Sequence, residues 1–455
     1  MGIQIFKIRQ GDEHLSSHSG LGLVGALLSK TCIDERVNQI SIVNKPPISN
    51  ADNIKAMTGL CCLGKPDFDA IEPMREQPFF AKALGLGQCP SSPTLRQRFD
   101  MGDGQFDTII KEESASLIKV AAPAITPIKV EKHGSLIPLD IDVSPFDNSK
   151  TNKEGVSRTY KNTDGYAPIF SYLGREGYLV NCELREGKQH CQNGTPGYLE
   201  ETIHYAKLIT EEPILVRLDS GNDSKDNIRV FNEKGIFFII KRNLRKESLE
   251  DWLKLAKEEG TCQQMREGKT RWYGETYVSV EGVEHPVRIV YEIVERTITA
   301  KGQMLVVPEI EVDTYWTNLL DSVEDIIELY HDHGTSEQFH SELKSDMDLE
   351  RLPSGKFATN SLVLLVGMIA YNLLRLCGQE SLQEVVGEKK TTYRKRVTRR
   401  RVRTIMQDLI YLSCRIVKGS RQLTLSFGKY CVWVDVWQRL YNKFITLPAP
   451  VYEVN

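Results

Sequence analysis

The stretch SLIPLDIDVSPF, residues 135–146, alternates apolar and polar side chains and ends at a proline, which is the pattern of a β-strand. Asp140 and Asp142 lie two residues apart in it, so both point to one face. GYAPIFSYLG (165–174) and GYLVNCELREG (177–187) follow as two more strands, joined by a hairpin from Gly174 to Gly177. PGYLEETIHYAKLIT (196–210) is a helix opening at Pro196. EEPILVRLDSGND (211–223) is a buried strand ending in acid, and NIRVFNEKGIFFIIKRNL (227–244) gives a short helix and a fifth strand. Three strands, helix, strand, helix, strand is the order of a ribonuclease-H-like α/β fold with a mixed five-stranded sheet. Its first and fourth strands are neighbours, so Asp142 and Asp219 are predicted to approach each other near the strand ends.

Downstream, KESLEDWLKLAKEEG (246–260) is a charged helix. TRWYGETYVSV, HPVRIVYEIVER and QMLVVPEIEVDTYW then alternate strongly, predicting an inserted β-rich domain or subsheet. After it, YHDHGTSEQFHSELKSDMDLERLPS (330–354) opens within a predicted helix over 323–344, capped by Asp321 or Ser322. Tyr330, Glu337 and Lys344 recur at intervals of seven, two helical turns each, with His333 one turn after Tyr330. That face suits a metal ion opposite a phosphate; the same spacing also suits a solvated helix surface. NSLVLLVGMIAYNLLRLCG (360–378) is an apolar helix for packing on the sheet, and VRTIMQDLIYLSCRIV (402–417) a further amphipathic helix.

Upstream, short helical patterns fill the first hundred residues. In GQCPSSPTLRQRFD (87–100), Ser92 is the predicted N-cap and Pro93 the first helical residue, presenting Arg96 and Arg98 from the first turns. Such a helix suits a DNA groove or an ordinary surface. The expected organisation is a helical N-terminal DNA-binding region (1–110), a catalytic core in two segments (111–245 and 318–385) separated by the β-rich insertion (246–317), and a basic helical C-terminal region (386–455).

A chain of 455 residues has room for such a core, and its net charge of −3 announces no nucleic-acid partner as a whole. The distribution does. Lys389, Lys390, Arg394, Lys395, Arg396, Arg399, Arg400, Arg401 and Arg403 form a run without an acid. Like charges repel unless an anion neutralises them, which points to a DNA backbone and to affinity without sequence specificity. Ten cysteines without a CxxC pair fit free thiols in a reducing compartment. No basic and apolar leader is evident at the N-terminus, and the apolar run 362–370 is too short for a bilayer, so a cytoplasmic protein without membrane association is expected.

Asp142, Asp219 and Glu337 together would supply three carboxylates, the usual means of holding two Mg²⁺ ions around a phosphodiester. Mn²⁺ is expected to substitute. Asp140 competes with Asp142 as the first ligand; Asp142 is nearer the strand end. A zinc site built from His331, His333, Glu337 and His340 is the rival reading, but HExxH is absent and the strand aspartates would go unused.

These residues resemble the DDE transposases of bacterial insertion sequences. Tyr330, Glu337 and Lys344 match three of the four positions of the Y-(2)-R-(3)-E-(6)-K signature of one branch. LDIDVSPF, VRLDSGNDS, IIKRNL, ERLPS and IAYNLLRL resemble the group named after insertion sequence thirteen-eighty, over residues 85–417. His333 stands where the signature has arginine; it lacks the bidentate fork and is charged only when its pKa permits. The resemblance implies cut-and-paste transposition: cleavage at each transposon end, a hairpin intermediate, then joining to target DNA. It implies phosphate contacts by Tyr330 and Lys344, double-stranded DNA as partner, a homodimer that pairs two ends, and a bacterial nucleoid-associated location. It also implies an aromatic residue of the insertion that stacks on a flipped base, for which Trp272 and Trp316 are the candidates, each equally suited to filling a core. Terminal-repeat recognition would fall to the N-terminal helices. A catalytically silent regulator that binds terminal repeats and a structure-specific nuclease of the same fold are the alternatives.

Overall fold

The alternating stretch that opens the sheet forms strand β1, Gly134–Val143, in a computed structural model that describes residues 5–43, 46–383, 397–420 and 422–449. Ahead of it lie helices α1 (Asn50–Cys62), α2 (Ser92–Met101) and α3 (Asp107–Ala121). The predicted order follows: β2 (Ile169–Leu173), β3 (Tyr178–Glu183), α4 (Thr195–Ile209), β4 (Ile214–Leu218), α5 (Lys225–Lys234) and β5 (Phe237–Lys241). In space the strands run β3-β2-β1-β4-β5, with β1, β4 and β5 parallel and β2 antiparallel to both of its neighbours, β1 and β3. This is the ribonuclease-H-like α/β sheet. Its central strands are apolar because both faces are covered: β2 and β4 have no exposed residue.

The insertion comprises α6 (Leu249–Glu259) and strands β6 (Thr261–Arg266), β7 (Lys269–Val278), β8 (Val287–Ile298) and β9 (Met304–Thr317). It makes no separate sheet. β9 pairs with β8 over most of its length, and its last residues, Tyr315 to Thr317, pair with β5. The path is therefore β6-β7-β8-β9-β5-β4-β1-β2-β3, with Ile128–Val130 added beside the start of β1. Helix α6 covers one face of the insertion, where Leu253 and Ala256 pack on Trp272, Tyr291 and Ile293.

Past the insertion the single helix expected over 323–344 is broken. α7 (Val323–His331) gives way to a 3₁₀ turn, Asp332–Thr335, then α8 (Ser336–Ser341) and a π-helical turn, Glu342–Asp346. Ser322 caps α7, accepting from Asp325 N–H. Changes of helical pitch rotate the side chains after each break, so a seven-residue repeat no longer marks one face.

Helix α9, Phe357–Glu380, is longer than the apolar run suggested. It is long and apolar enough to cross a membrane, but 94% of its most apolar window is buried inside the protein. Asn372 explains the polar interruption. Its amide donates to Leu179 O at 2.7 Å and its oxygen accepts from Leu179 N–H at 2.9 Å, tying the helix to the edge strand β3.

Two further expectations are corrected. Ser91, not Ser92, caps α2, because its hydroxyl faces Thr94 N–H. The helix expected over 402–417 stops at Ile410; Cys414–Lys418 is a strand between Leu15–Ser16 and Leu423–Phe427. CRIVK is β-branched and pairs with residues some four hundred positions away, a partner that local periodicity does not contain.

Candidate active site

Parallel pairing of β1 with β4 sets Asp140 opposite Arg217 and Ile141 opposite Leu218, so the next residues outward are Asp142 and Asp219. Four charged side chains thus share one face at the strand ends. Arg217 grips Asp140 with two parallel bonds, Nε to Oδ1 at 2.6 Å and Nη2 to Oδ2 at 2.8 Å, and its Nη1 donates to Leu329 O at 2.6 Å. His333 Nδ1 lies 3.0 Å from the same carboxylate. Burial opposes the Asp140 charge, yet Arg217 and His333 hold its pKa below the ordinary value. Asp140 is therefore engaged within the protein, while Asp142 keeps a partly exposed carboxylate.

Asp142 accepts Val143 N–H at 2.7 Å and faces His340 Nε2 at 3.3 Å; His340 Nδ1 is 3.3 Å from Tyr172 Oη. Burial would raise the Asp142 pKa, but the His340 bond and charge outweigh it and hold it low. Asp219 goes the other way, raised by burial and then by the Asp142 charge, although Asn222 Nδ2 donates to it at 2.7 Å. One carboxylate held ionised and its neighbour pushed toward protonation is the behaviour of two acids sharing a site. A divalent cation between such hard oxygen donors would relieve the repulsion, so the pair fits Mg²⁺.

Glu337 lies on α8, exposed, one turn before His340, whose ring touches Asp142. Among the described residues, no three His, Cys, Asp or Glu side chains gather into a group that could hold a metal ion. The histidines of the rival zinc reading diverge, His333 going to Asp140 and His340 to Asp142. Tyr330 stacks at a tilt on Tyr315 and His333, with ring centroids 4.8 and 5.7 Å away. Burial, then Asp219 and Asp142, raise its pKa, so the phenol keeps its proton to donate. Lys344 donates to Pro145 O at 2.5 Å, just past the end of β1, and burial lowers its pKa.

Arg96 is the arginine of α2 that reaches solvent, lying over Phe68 and 3.8 Å from Asp69. Arg98 is 7% exposed and faces Ile48 O at 3.4 Å. In the basic run, Lys389, Lys390, Arg394, Lys395 and Arg396 lie outside the described residues. At its far end the neutralising anions are the chain's own. Arg399 donates to Glu342, Arg400 to Asp408 at 2.8 Å, Arg401 to Asp346 at 2.7 Å, and Arg403 lies 3.2 Å from Asp346. Glu342 also accepts from the fully buried Arg375. Trp272 and Trp316 are both buried; Trp272 fills the core under α6, and Trp316 Nε1 donates to Asp223 at 2.9 Å.

Sequence reasoning missed Arg217, whose signal was a lone cation in the apolar run ILVRLD. It missed His340 as the partner of Asp142, and also Tyr160, which donates to Val143 O at 3.0 Å beside both aspartates.

The sheet places the protein in the ribonuclease-H-like class, with paired aspartates at the ends of its first and fourth strands. A family model described as "Transposase DDE domain group 1" matches residues 5–449, and the chain belongs to that family. No curated protein matches it. Among solved structures, a cryo-EM structure of the piggyBac transposase synaptic complex with hairpin DNA is similar at 10% identity and a TM-score of 0.38, covering 79% of this chain and 73% of that one.

Proposed function

We propose that this chain is a transposase of the Y-(2)-R-(3)-E-(6)-K branch, in the group named after insertion sequence thirteen-eighty, acting as a homodimer on double-stranded DNA in the bacterial cytoplasm. It binds terminal inverted repeats, cleaves the transposon ends and joins them to target DNA, with hairpin ends as intermediates. The carrying observation is the placement of Asp142 and Asp219 side by side on one face, with the helix bearing Glu337 packed against that face through His340. Asp142 and Asp219 would hold a divalent cation, Mg²⁺ or Mn²⁺, which when bound would supply Lewis acidity at the phosphodiester, and Glu337, on the helix packed beside them, is the third carboxylate this reading calls on.

The chain's own residues do the positioning. His340 and Val143 N–H fix the Asp142 carboxylate, and the Asp140–Arg217 pair fixes the end of α7 behind it. The protonated Tyr330 phenol donates to one phosphate oxygen of the terminal nucleotide, and Lys344 offers its ammonium to another. His333 is bound to Asp140, so it takes the signature arginine's place as a brace and presents no guanidinium fork to DNA. Arg96 and the cations at residues 394–396 contribute backbone contacts.

Glu337→Gln with a labelled transposon end in Mg²⁺ tests this reading. Retained binding with nicking lost is expected; undiminished nicking removes Glu337 from the site. Pre-cut ends offered to target DNA then separate a transposase, which joins its 3′-hydroxyl, from a nuclease, which leaves the ends unjoined.

A further inference from the structure

Helix α8, Ser336–Ser341, is six residues long and set between a 3₁₀ turn and a π-helical turn. A helix that short has no stability of its own, so packing decides where it lies. What it carries makes its position matter: Glu337 near its start, and near its end His340, which faces Asp142. Between them is Phe339, 1% exposed. Its ring fills the space beside Gly177, where a Cβ would lie 2.5 Å from it, and its centroid is 4.9 Å from that of Tyr172.

The Arg399 guanidinium lies 4.4 Å from the centroid of that same ring. It is itself held twice. Nε donates to Glu176 O at 3.1 Å, in the hairpin between β2 and β3, and Nη2 donates to Glu342 on the π-helical turn. One side chain thus ties together the hairpin, α8 and the turn that follows it. Arg401 works alongside, its Nη2 donating to Ser341 Oγ at 3.1 Å and to Asp346 Oδ1 at 3.0 Å, so it spans the π-helical turn from the residue before it to its last. Arg399 uses the planarity of its group, a flat face for the ring and a fork for two acceptors; an ammonium offers neither. Arg403 is placed differently, reaching Asp346 at 3.2 Å, at the end of the turn away from α8.

Granted the cation site at Asp142 and Asp219, on which this role rests, we infer that Arg399 is a positioning residue. By clamping Phe339 it sets the angle of α8, and with it the approach of His340 and Glu337 to the paired aspartates. Titrating the full-length protein with Mn²⁺, followed by electron paramagnetic resonance, reads that site without DNA or turnover. Arg399→Ala should fold, because Glu342 keeps Arg375, Tyr371 and Val402 N–H. It should bind Mn²⁺ about 10-fold more weakly and need about 10-fold more Mg²⁺ for half-maximal nicking of a labelled transposon end, the lower end of what losing a ligand-orienting group costs. Loss of a positive charge alone would tighten cation binding, so weakening reports position. Arg399→Lys should not restore the affinity. Phe339→Leu removes the ring and leaves the arginine's hydrogen bonds; it should match Arg399→Ala, and the double variant should be no worse than either. Should Arg399→Ala fail to fold, Phe339→Leu decides alone. Arg403→Ala should bind Mn²⁺ at least as tightly as wild type. Unchanged or tighter Mn²⁺ binding in Arg399→Ala or Phe339→Leu overturns the role, and so do additive losses in the double variant. Equal weakening by Arg403→Ala overturns it too, since any loosening of the turn would then suffice. A wild type that neither binds Mn²⁺ nor nicks an end sinks the cation site itself, and this role with it.

Discussion

At the scale of single residues, the decisive arrangement is the division of labour between Asp140 and Asp142. Two aspartates two apart on a strand are equivalent by alternation alone; Arg217 and His340 make them different. Asp140 and Arg217 are each about 3% exposed, so removing one partner leaves a buried charge uncompensated. Arg217→Met should cost roughly 3–5 kcal/mol in urea unfolding at neutral pH. The Asp140 pKa is depressed in the folded state, so its ionisation contributes stability above the unfolded value of about 3.9 and loses it as pH falls through the folded value. The gap between wild type and Arg217→Met should therefore narrow below about pH 4, where a protonated Asp140 no longer needs the guanidinium. A gap that stays constant into acid would show that the pair is not what stabilises the strands. His340→Ala should leave DNA binding unchanged and raise the Mg²⁺ concentration for half-maximal nicking about 10- to 100-fold, the usual cost of removing a group that orients a ligand. An unshifted Mg²⁺ curve would show that the Tyr172–His340–Asp142 chain orients nothing.

Elements show where local sequence stops being informative. The strands of the core and the hairpin at Gly174–Gly177 were legible because alternation and turn residues are written within ten positions of each other. Asp142 and Asp219 were legible because strand order carried them together. The run of arginines was not: the partners of Arg399, Arg401 and Arg403, Glu342 and Asp346, lie some fifty-five residues earlier, on a π-helical turn. The break between α7 and α8 was equally hidden, since a repeat of seven survives in the sequence whether or not the pitch does. Glu342 accepts from Arg375, Arg399, Tyr371 and Val402 N–H, so it closes the returning chain onto that turn. Glu342→Gln should release the segment. Native-state trypsin should then cut at Arg399 or Arg400, which wild type protects, and the cleavage is read by mass spectrometry. Continued resistance would mean that Asp346 and Asp408 hold the segment alone.

On the scale of the whole molecule, the insertion is an extension of the ribonuclease-H-like sheet, with β9 hydrogen-bonded to both β8 and β5. It should therefore not melt alone. With Trp272 kept as the sole tryptophan, its fluorescence and the far-UV circular dichroism should share one urea midpoint. A fluorescence transition at clearly lower urea would show an independently unfolding insertion.

That shared strand has a mechanical meaning. From Glu309 to Thr317 β9 pairs with β8 without a break, so nine residues of extended chain span roughly 30 Å to a point two strands from Asp219. The inner part of the outer strands is then a beam continuous with the strand before Asp219, and its joint with β8 falls near the tip, where the pairing shifts register between Arg296 and Ile298.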